Sequence, residues 1–285
     1  WAGCKDLVKL NVDNDAVREH LFGAVKMWIE EFAIDGLRLD AADVLSKTFL
    51  DALASFCRSI KSDFWLMGEV VHGDYSEWAR NGRLDSVTNY QMYKSLWSCL
   101  NDRNMYELSY NLNREYNAES GMYKDIALYN FVDNHDVNRA VSALTSPERH
   151  LHLLYGLLFT IPGIPSVYYG SEYGIRGVRK VDGDYELRPP LPPFAQLPDF
   201  TQPGFDAGFI RTSIETFSKI RRSRPALQRG EDVVVELQHV AFVEVEVEDG
   251  VGFAIQGACK DEGIRAFAAG EGIRAATAFE LVVAR

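Results

Sequence analysis

Three acidic residues, Asp40, Glu69 and Asp136, each close a short apolar run: GLRLD (36–40), GEV (68–70) and FVDNHD (131–136). Each run reads as the end of a β-strand, so each delivers a carboxyl group at a strand terminus of an α/β sheet. Two carboxyl groups, one attacking and one protonating, are the machinery of glycosidic-bond cleavage, and a third can steady the charge that develops. The attacker must be ionised and the donor protonated, so their surroundings must differ. Arg38 stands two residues before Asp40, on the same face of a strand, where it would keep Asp40 ionised. Glu69 follows Phe64, Trp65, Leu66 and Met67, an apolar approach that would favour the neutral acid. Asp136, beside His135, adds charge and hydrogen bonds where positive character develops.

Each residue also has a plainer role open to it. Arg38 and Asp40 suit a structural salt bridge. Glu69 suits a helix start, and Asp133, Asn134 and Asp136 suit a loop and its caps. Asp43 reads as a helix cap, His72 as a loop histidine, and Arg188 in YELRPPL as a loop ion-pair partner within reach of a substrate. It is the three carboxylates together, in this order, that point to sugar chemistry.

The elements that must place these residues alternate. A helix is expected over 14–33: Asn14 caps it, Asp15 complements its dipole, and Val17, Leu21, Val25, Trp28 and Phe32 recur at helical spacing. Gly36 breaks it, and a strand runs over 37–40. A second helix is expected over 47–61, with Leu50, Leu53, Cys57 and Ile60 on one face. Strands follow over 64–69 and 84–88, then helical segments, then a strand over 127–132. Ser146-Pro147-Glu148 starts a helix, a cap followed by Pro at the first helical position, and Pro162-Gly163 ends it. A strand over 166–169 and a Pro-rich loop over 189–204 lead to a last helix over 208–223.

Five strands alternating with helices mean parallel β/α units. A closed eight-stranded barrel typically takes about 250 residues, so this pattern stops three strands short. From residue 231 the character changes. Val/Glu alternation at 243–248, an Asp249-Gly250 turn and another apolar run read as a β-hairpin. The expected organisation is α/β: a partial (β/α)8 barrel over 1–230, then a small β-rich domain over 231–285.

The 285 residues carry a net charge of −11, with 47% hydrophobic and 12% aromatic residues. Phosphate binding needs a basic stripe, so the charge argues against nucleic acid and anionic membranes as partners. A neutral substrate fits. The aromatics suit stacking on sugar rings, although core packing accounts for most of them. The most apolar stretch, 151–161, is interrupted by His152 and Gly156 and is too short to span a bilayer. Cys4, Cys57, Cys99 and Cys259 lie far apart with no C-x-x-C pair and read as reduced structural thiols, which tilts the expected compartment towards the cytoplasm. The N-terminus, at Trp1 with no charged-then-apolar leader, does not set it. No cofactor is expected. No His/Cys spacing suits a transition metal, and calcium on oxygen ligands is the one metal the acids leave open.

With these motifs in place, the chain resembles the α-amylase family, glycoside hydrolase family 13. GLRLD is similar to its strand-four motif, MGEV to strand five, FVDNHD to strand seven and GIPSVYYGSE (163–172) to strand eight. LVKLN (7–11) resembles the M-P-K-L-N segment of the neopullulanase, cyclomaltodextrinase and maltogenic amylase branch. The resemblance runs from about residue 7 to 225, and the tail loosely resembles the family's C-terminal β-domain. It implies that Asp40 is the nucleophile, Glu69 the general acid/base and Asp136 the third carboxylate, which holds substrate hydroxyls. Arg38 would orient Asp40, and His135 would bind sugar hydroxyls. The implied activity is retaining cleavage of α-1,4-glucosidic bonds in maltodextrins, cyclodextrins or starch, with glycosyl transfer as a variant of the same intermediate.

Two features depart from the family pattern. The motif ending in Asn-His at strand three is absent, with strands one to three and the protruding domain, so the chain is expected to be a C-terminal portion comprising strands four to eight. Asp43-Val44 stands where many members carry Lys-His or Asn-Glu, which puts plus-side contacts and any calcium link in question. The missing elements keep a second expectation open, a non-catalytic amylase-like glucan-binding module. An open half-barrel exposes sheet edges, so the chain alone is expected to aggregate, form a homodimer or need the missing part to be active.

Overall fold

The computed structural model describes residues 8–181, 183–193, 196, 206–229, 240–247 and 250–257. The chain divides into two compact units, Trp1–Gln91 with Tyr123–Tyr129, and Met92–Met122 with Asn130–Arg285.

In the first unit, α1 (Asp15–Phe32) starts where expected: the Asn14 side chain accepts the Ala16 and Val17 N–H groups at 3.0 and 3.3 Å. It buries Val25 and Ile29, while Phe32, on the expected apolar stripe, stays 66% exposed. Periodicity defines an apolar stripe but not which part of it meets a neighbour. The helix stops at Ala33, in the left-handed region at φ 52°, rather than at Gly36. Gly36 instead opens β1 (Gly36–Leu39), where a Cβ would lie 2.4 Å from the Trp65 carbonyl oxygen. A short 3₁₀ turn (Ala42–Val44) contains Asp43, which therefore caps nothing. Ser46 is the cap, accepting the Phe49 N–H at 3.3 Å at the start of α2 (Lys47–Ile60). That helix buries Leu50, Leu53 and Cys57 as expected, together with Phe49 and Ala54, while Ile60 is only half-buried. Phe22 of α1 lies against the Phe49 and Phe56 rings, at 5.8 and 4.8 Å.

The strands β2 (Trp65–Gly68) and β3 (Ser86–Val87) complete a parallel sheet of order β1-β2-β3. Its register runs from Gly36↔Trp65 to Leu39↔Gly68, then Met67↔Ser86 and Gly68↔Val87. A parallel bridge, Thr88↔Tyr129, follows.

The second unit is mainly helical. Its elements are α3 (Tyr90–Asn101, whose first two residues belong to the first unit), α4 (Tyr106–Tyr116), β4 (Tyr129–Phe131, entering from the first unit), α5 (Ala140–Ala143), α6 (Pro147–Thr160), β5 (Ile164–Ser166), α7 (Ala207–Ser223) and α8 (Pro225–Arg229). The strands β4 and β5 are hydrogen-bonded neighbours. Met92, Leu96, Leu151, Leu154, Leu158 and Ile210 lie in one buried core. Pro147 opens α6 as expected, but the Ser146 side chain makes no capping bond. At the other end of α6 the buried Arg221 guanidinium takes the carbonyls of Phe159 (2.8 Å), Ile161 (3.0 Å) and Gly163. The strand β5 falls earlier than the expected 166–169, because Tyr168 and Tyr169 leave the ladder and lay their rings over Arg139.

The strands β6 (Val240–Val247) and β7 (Gly250–Gly257) pair antiparallel, the hairpin expected from the Val/Glu alternation. Gly250 opens β7. Asp249 of the expected turn lies outside the described residues, as do Glu248, Cys4, Cys259 and most of the Pro-rich loop. Cys57 and Cys99 are buried free thiols. Among the described residues no helix is long and apolar enough to cross a membrane.

Candidate active site

The first unit brings Arg38, Asp40 and Glu69 together. The strands β1 and β2 are parallel neighbours with Leu39 opposite Gly68, so the next residues, Asp40 and Glu69, leave adjacent strand ends. The Glu69 backbone is fixed on both sides: its N–H donates to Leu39 O at 2.8 Å and its carbonyl accepts from Ala42 N at 2.9 Å. Only glycine fits before it, since a Cβ on Gly68 would come within 2.6 Å of Leu84 and 2.8 Å of Ala42. The following residue, Val70, is tied through its N–H and carbonyl to the buried Thr88 hydroxyl, at 3.0 and 3.1 Å.

The side chains converge on one guanidinium. Arg38 Nη1 meets Asp40 Oδ1 at 2.9 Å, and Nη2 meets Glu69 Oε2 at 3.2 Å. Ala41, at φ 43°, aims its N–H at Glu69 Oε2 at 3.2 Å. The Tyr90 hydroxyl donates to Oε1 at 3.3 Å. Glu69 is buried, while the Asp40 side chain is 77% exposed. The apolar surroundings expected for Glu69 are not what its carboxylate meets. It lies past the end of β2, beyond the strand that buries Leu66 and Met67, and its oxygens face polar donors. The Arg38–Asp40 contact matches the sequence reading. The Arg38–Glu69 contact and the Ala41 N–H carry no local sequence signal, because the first spans two strands and the second is backbone.

The second unit holds the other two expected residues, His135 and Asp136. Asn134 Oδ1 accepts the Asp136 and Val137 N–H groups at 2.8 and 3.1 Å and folds the turn. Asp133 is buried, its Oδ2 accepting from Ala140 N (2.9 Å) and Ser171 Oγ (2.6 Å). Burial pushes its carboxyl above the ordinary range despite those donors. Loop and cap is thus the role of Asp133 and Asn134. Asp136 differs: its carboxylate takes His135 Nε2 and Arg188 Nη2, both at 3.0 Å. Arg188 also donates from Nε to His135 O at 3.2 Å and pairs with Asp184 at 2.5 Å. It is a loop ion pair, as expected, and one that closes on a candidate site residue. The Tyr168 ring stands 6.4 Å from His135, its hydroxyl pushed up to about 12, chiefly by burial. Among the described residues no group of three or more His, Cys, Asp or Glu is placed to hold a metal ion.

Barrel enzymes place their catalytic groups at the ends of neighbouring parallel strands, and glycosidic-bond cleavage uses a pair of carboxyl groups. The sequence pattern of alpha-amylase catalytic domains matches residues 1–224, and the chain belongs to the alpha-amylase family. It is 30% identical over 172 residues to a maltogenic alpha-amylase of Bacillus acidopullulyticus, covering 59% of this chain and 29% of that protein. It is 29% identical to a cyclomaltodextrinase of Geobacillus thermopakistaniensis, covering 62% and 30%. The chain thus spans under a third of the length of these curated relatives. Among solved structures, an alpha-amylase from Anoxybacillus superposes with a TM-score of 0.63 at 28% identity, covering 88% of this chain and 52% of that one. A cyclic α-maltosyl-(1→6)-maltose hydrolase of Arthrobacter globiformis gives 0.69 at 24% identity, covering 80% and 49%, a likeness of fold.

Proposed function

We propose that this chain carries the catalytic carboxylates of a retaining glycosidase acting on α-1,4-linked glucans such as maltodextrins, cyclodextrins or starch. The observation that supports this most is Arg38, which binds Asp40 with one nitrogen and Glu69 with the other. The names of the relatives, maltogenic amylase and cyclomaltodextrinase, supply the substrate class. In the same reading, β1 to β5 correspond to strands four to eight of a (β/α)8 barrel, and β6–β7 to the β-rich domain after it.

The division of labour follows from the contacts. Arg38 holds Asp40 Oδ1, which leaves Oδ2 of this exposed carboxylate to attack the anomeric carbon. Glu69 Oε2 is engaged by Arg38 and the Ala41 N–H, so the transferable proton belongs on Oε1, beside Tyr90. That proton passes to the glycosidic oxygen as the bond breaks, and Asp40 forms a glycosyl ester. Glu69 then takes a proton from water or from a sugar hydroxyl as that oxygen attacks the anomeric carbon, and the ester bond to Asp40 breaks to give back its carboxylate. Water yields the free sugar, and a sugar hydroxyl yields the transfer product. Asp136 and His135 hold hydroxyls of the sugar. The carboxyl groups suffice for this chemistry without a cofactor, so EDTA treatment is expected to leave it intact.

The test compares sugar release from β-cyclodextrin, maltoheptaose and starch by the chain and its Glu69→Gln variant, with maltoheptaose binding measured on both. Turnover lost with binding kept supports the reading. Equal turnover in both overturns it. Binding without turnover in either protein points instead to a glucan-binding role.

A further inference from the structure

Under the Asn134–Asp136 turn lies a buried charge that the proposed chemistry does not use. Arg139 is fully buried. Its backbone N–H donates to Gly177 O at 3.0 Å, and its carbonyl accepts from Ser142 N at 2.8 Å. Nη1 donates to Tyr169 O at 2.5 Å and to Ser171 Oγ at 3.2 Å. The Ser171 hydroxyl hands its own proton on to Asp133 Oδ2 at 2.6 Å. One hydroxyl therefore relays between the guanidinium and the carboxylate that caps α5. The flat faces of the guanidinium are occupied too: its carbon lies 4.1 Å from the Tyr168 ring centroid and 4.9 Å from that of Tyr169.

Packing alone does not account for this arrangement. Arg139 Nε and Nη2, Asp133 Oδ1 and Glu172 Oε2 are buried with no partner among the described residues. An incompletely paired buried charge destabilises a fold, and an apolar side chain of similar volume fills the same space as well or better. What an apolar side chain cannot do is bind the Tyr169 carbonyl and Ser171 while stacking on two rings.

We infer that Arg139 is a positioning residue that locks the turn carrying His135 and Asp136 to the Tyr168–Ser171 segment, so that the Tyr168 ring and the Asp136 carboxylate keep one fixed spacing as a sugar-binding pair. The sugar part rests on the function proposed above; the lock does not.

The experiment uses the full chain with Arg139→Met, Arg139→Lys and Ser171→Ala. Amide hydrogen exchange is followed in 131–141 and 167–173, with α6 and α7 as reference, and maltoheptaose affinity is measured by calorimetry. Arg139→Met is expected to raise exchange in both segments about tenfold while α6 and α7 stay protected, and to weaken maltoheptaose about tenfold. Arg139→Lys, which restores the bond to the Tyr169 carbonyl, is expected to recover part of both. A folded Arg139→Met variant with both segments protected as in the parent overturns the inference. If that variant does not fold, Ser171→Ala decides: it cuts only the relay, and unchanged exchange in both segments overturns the proposal. If the parent does not bind maltoheptaose, the glucan reading fails, and the exchange data still decide the lock.

Discussion

Glu69 Oε2 lies 3.2 Å from Arg38 Nη2, on the guanidinium whose other nitrogen holds Asp40. A strand-end arginine thus spans two adjacent strands and binds a buried and an exposed carboxylate together. Glu69 and Asp40 are not independent: a change at Arg38 reaches both.

Arg38→Ala should therefore lower kcat by about a hundredfold or more, since it removes a fixed positive charge from both carboxylates. Arg38→Lys should recover little, because an ammonium is a point charge and cannot present two nitrogens in a planar fork. Steady-state kinetics on maltoheptaose check this. Near-parental kcat in Arg38→Lys would show that charge alone suffices.

Arg221 closes the C-terminal end of α6 by taking three carbonyls. Arg221→Met keeps much of the volume but strands those acceptors. We expect a loss of about 3 kcal/mol, on the scale of buried acceptors left without donors. Urea unfolding measures it, and a loss below about 0.5 kcal/mol, the level of an ordinary surface change, would refute the capping role.

Ala33 ends α1 at φ 52°, a region that costs a residue with a Cβ about 1 kcal/mol. The position is exposed, so Ala33→Gly removes that cost without opening a cavity. Thermal unfolding should show a small rise in stability. A fall would mean that the added freedom of glycine in the unfolded chain outweighs the relief.

The buried thiols give a pH dependence with a definite sign. Burial pushes Cys57 up to about 11 and Cys99 up to about 12. An unfolded thiol titrates near about 8.5. Above that pH the unfolded chain has lost thiol protons that the folded chain still holds. Both cysteines contribute their full share to stability below the unfolded value, and that share is lost as pH rises from there through the folded values. Melting temperatures should fall over this window, and Cys57→Ala with Cys99→Ala should flatten the fall. Peptide-resolved alkylation at mildly alkaline pH should leave both thiols unmodified until denaturant is added. Labelling of either in the folded chain would contradict their burial.

Much of this is legible along the chain. The start of α1 follows from Asn14 and the apolar period, because helix hydrogen bonds and caps join residues a few positions apart. The period of α2 is legible too, but its cap is Ser46 rather than the Asp43 that the sequence suggests. The strands β1 to β5 are legible as apolar runs, and Asp40, Glu69 and Asp136 as acids closing three of them. Their exact ends are not, because a ladder stops where its partner does. The strand β5 ends at Ser166 since Tyr168 and Tyr169 turn to Arg139, a residue outside that strand.

The sequence by itself determined which residue types stand at the strand ends, and so the kind of chemistry open to them. Tertiary structure alone decided their partners: Arg38 on Glu69, Arg188 on Asp136, Ser171 between Arg139 and Asp133. The physical reason is range. A side chain's chemistry and a helix's period are local properties, whereas a hydrogen bond between residues tens of positions apart depends on how the elements carrying them pack.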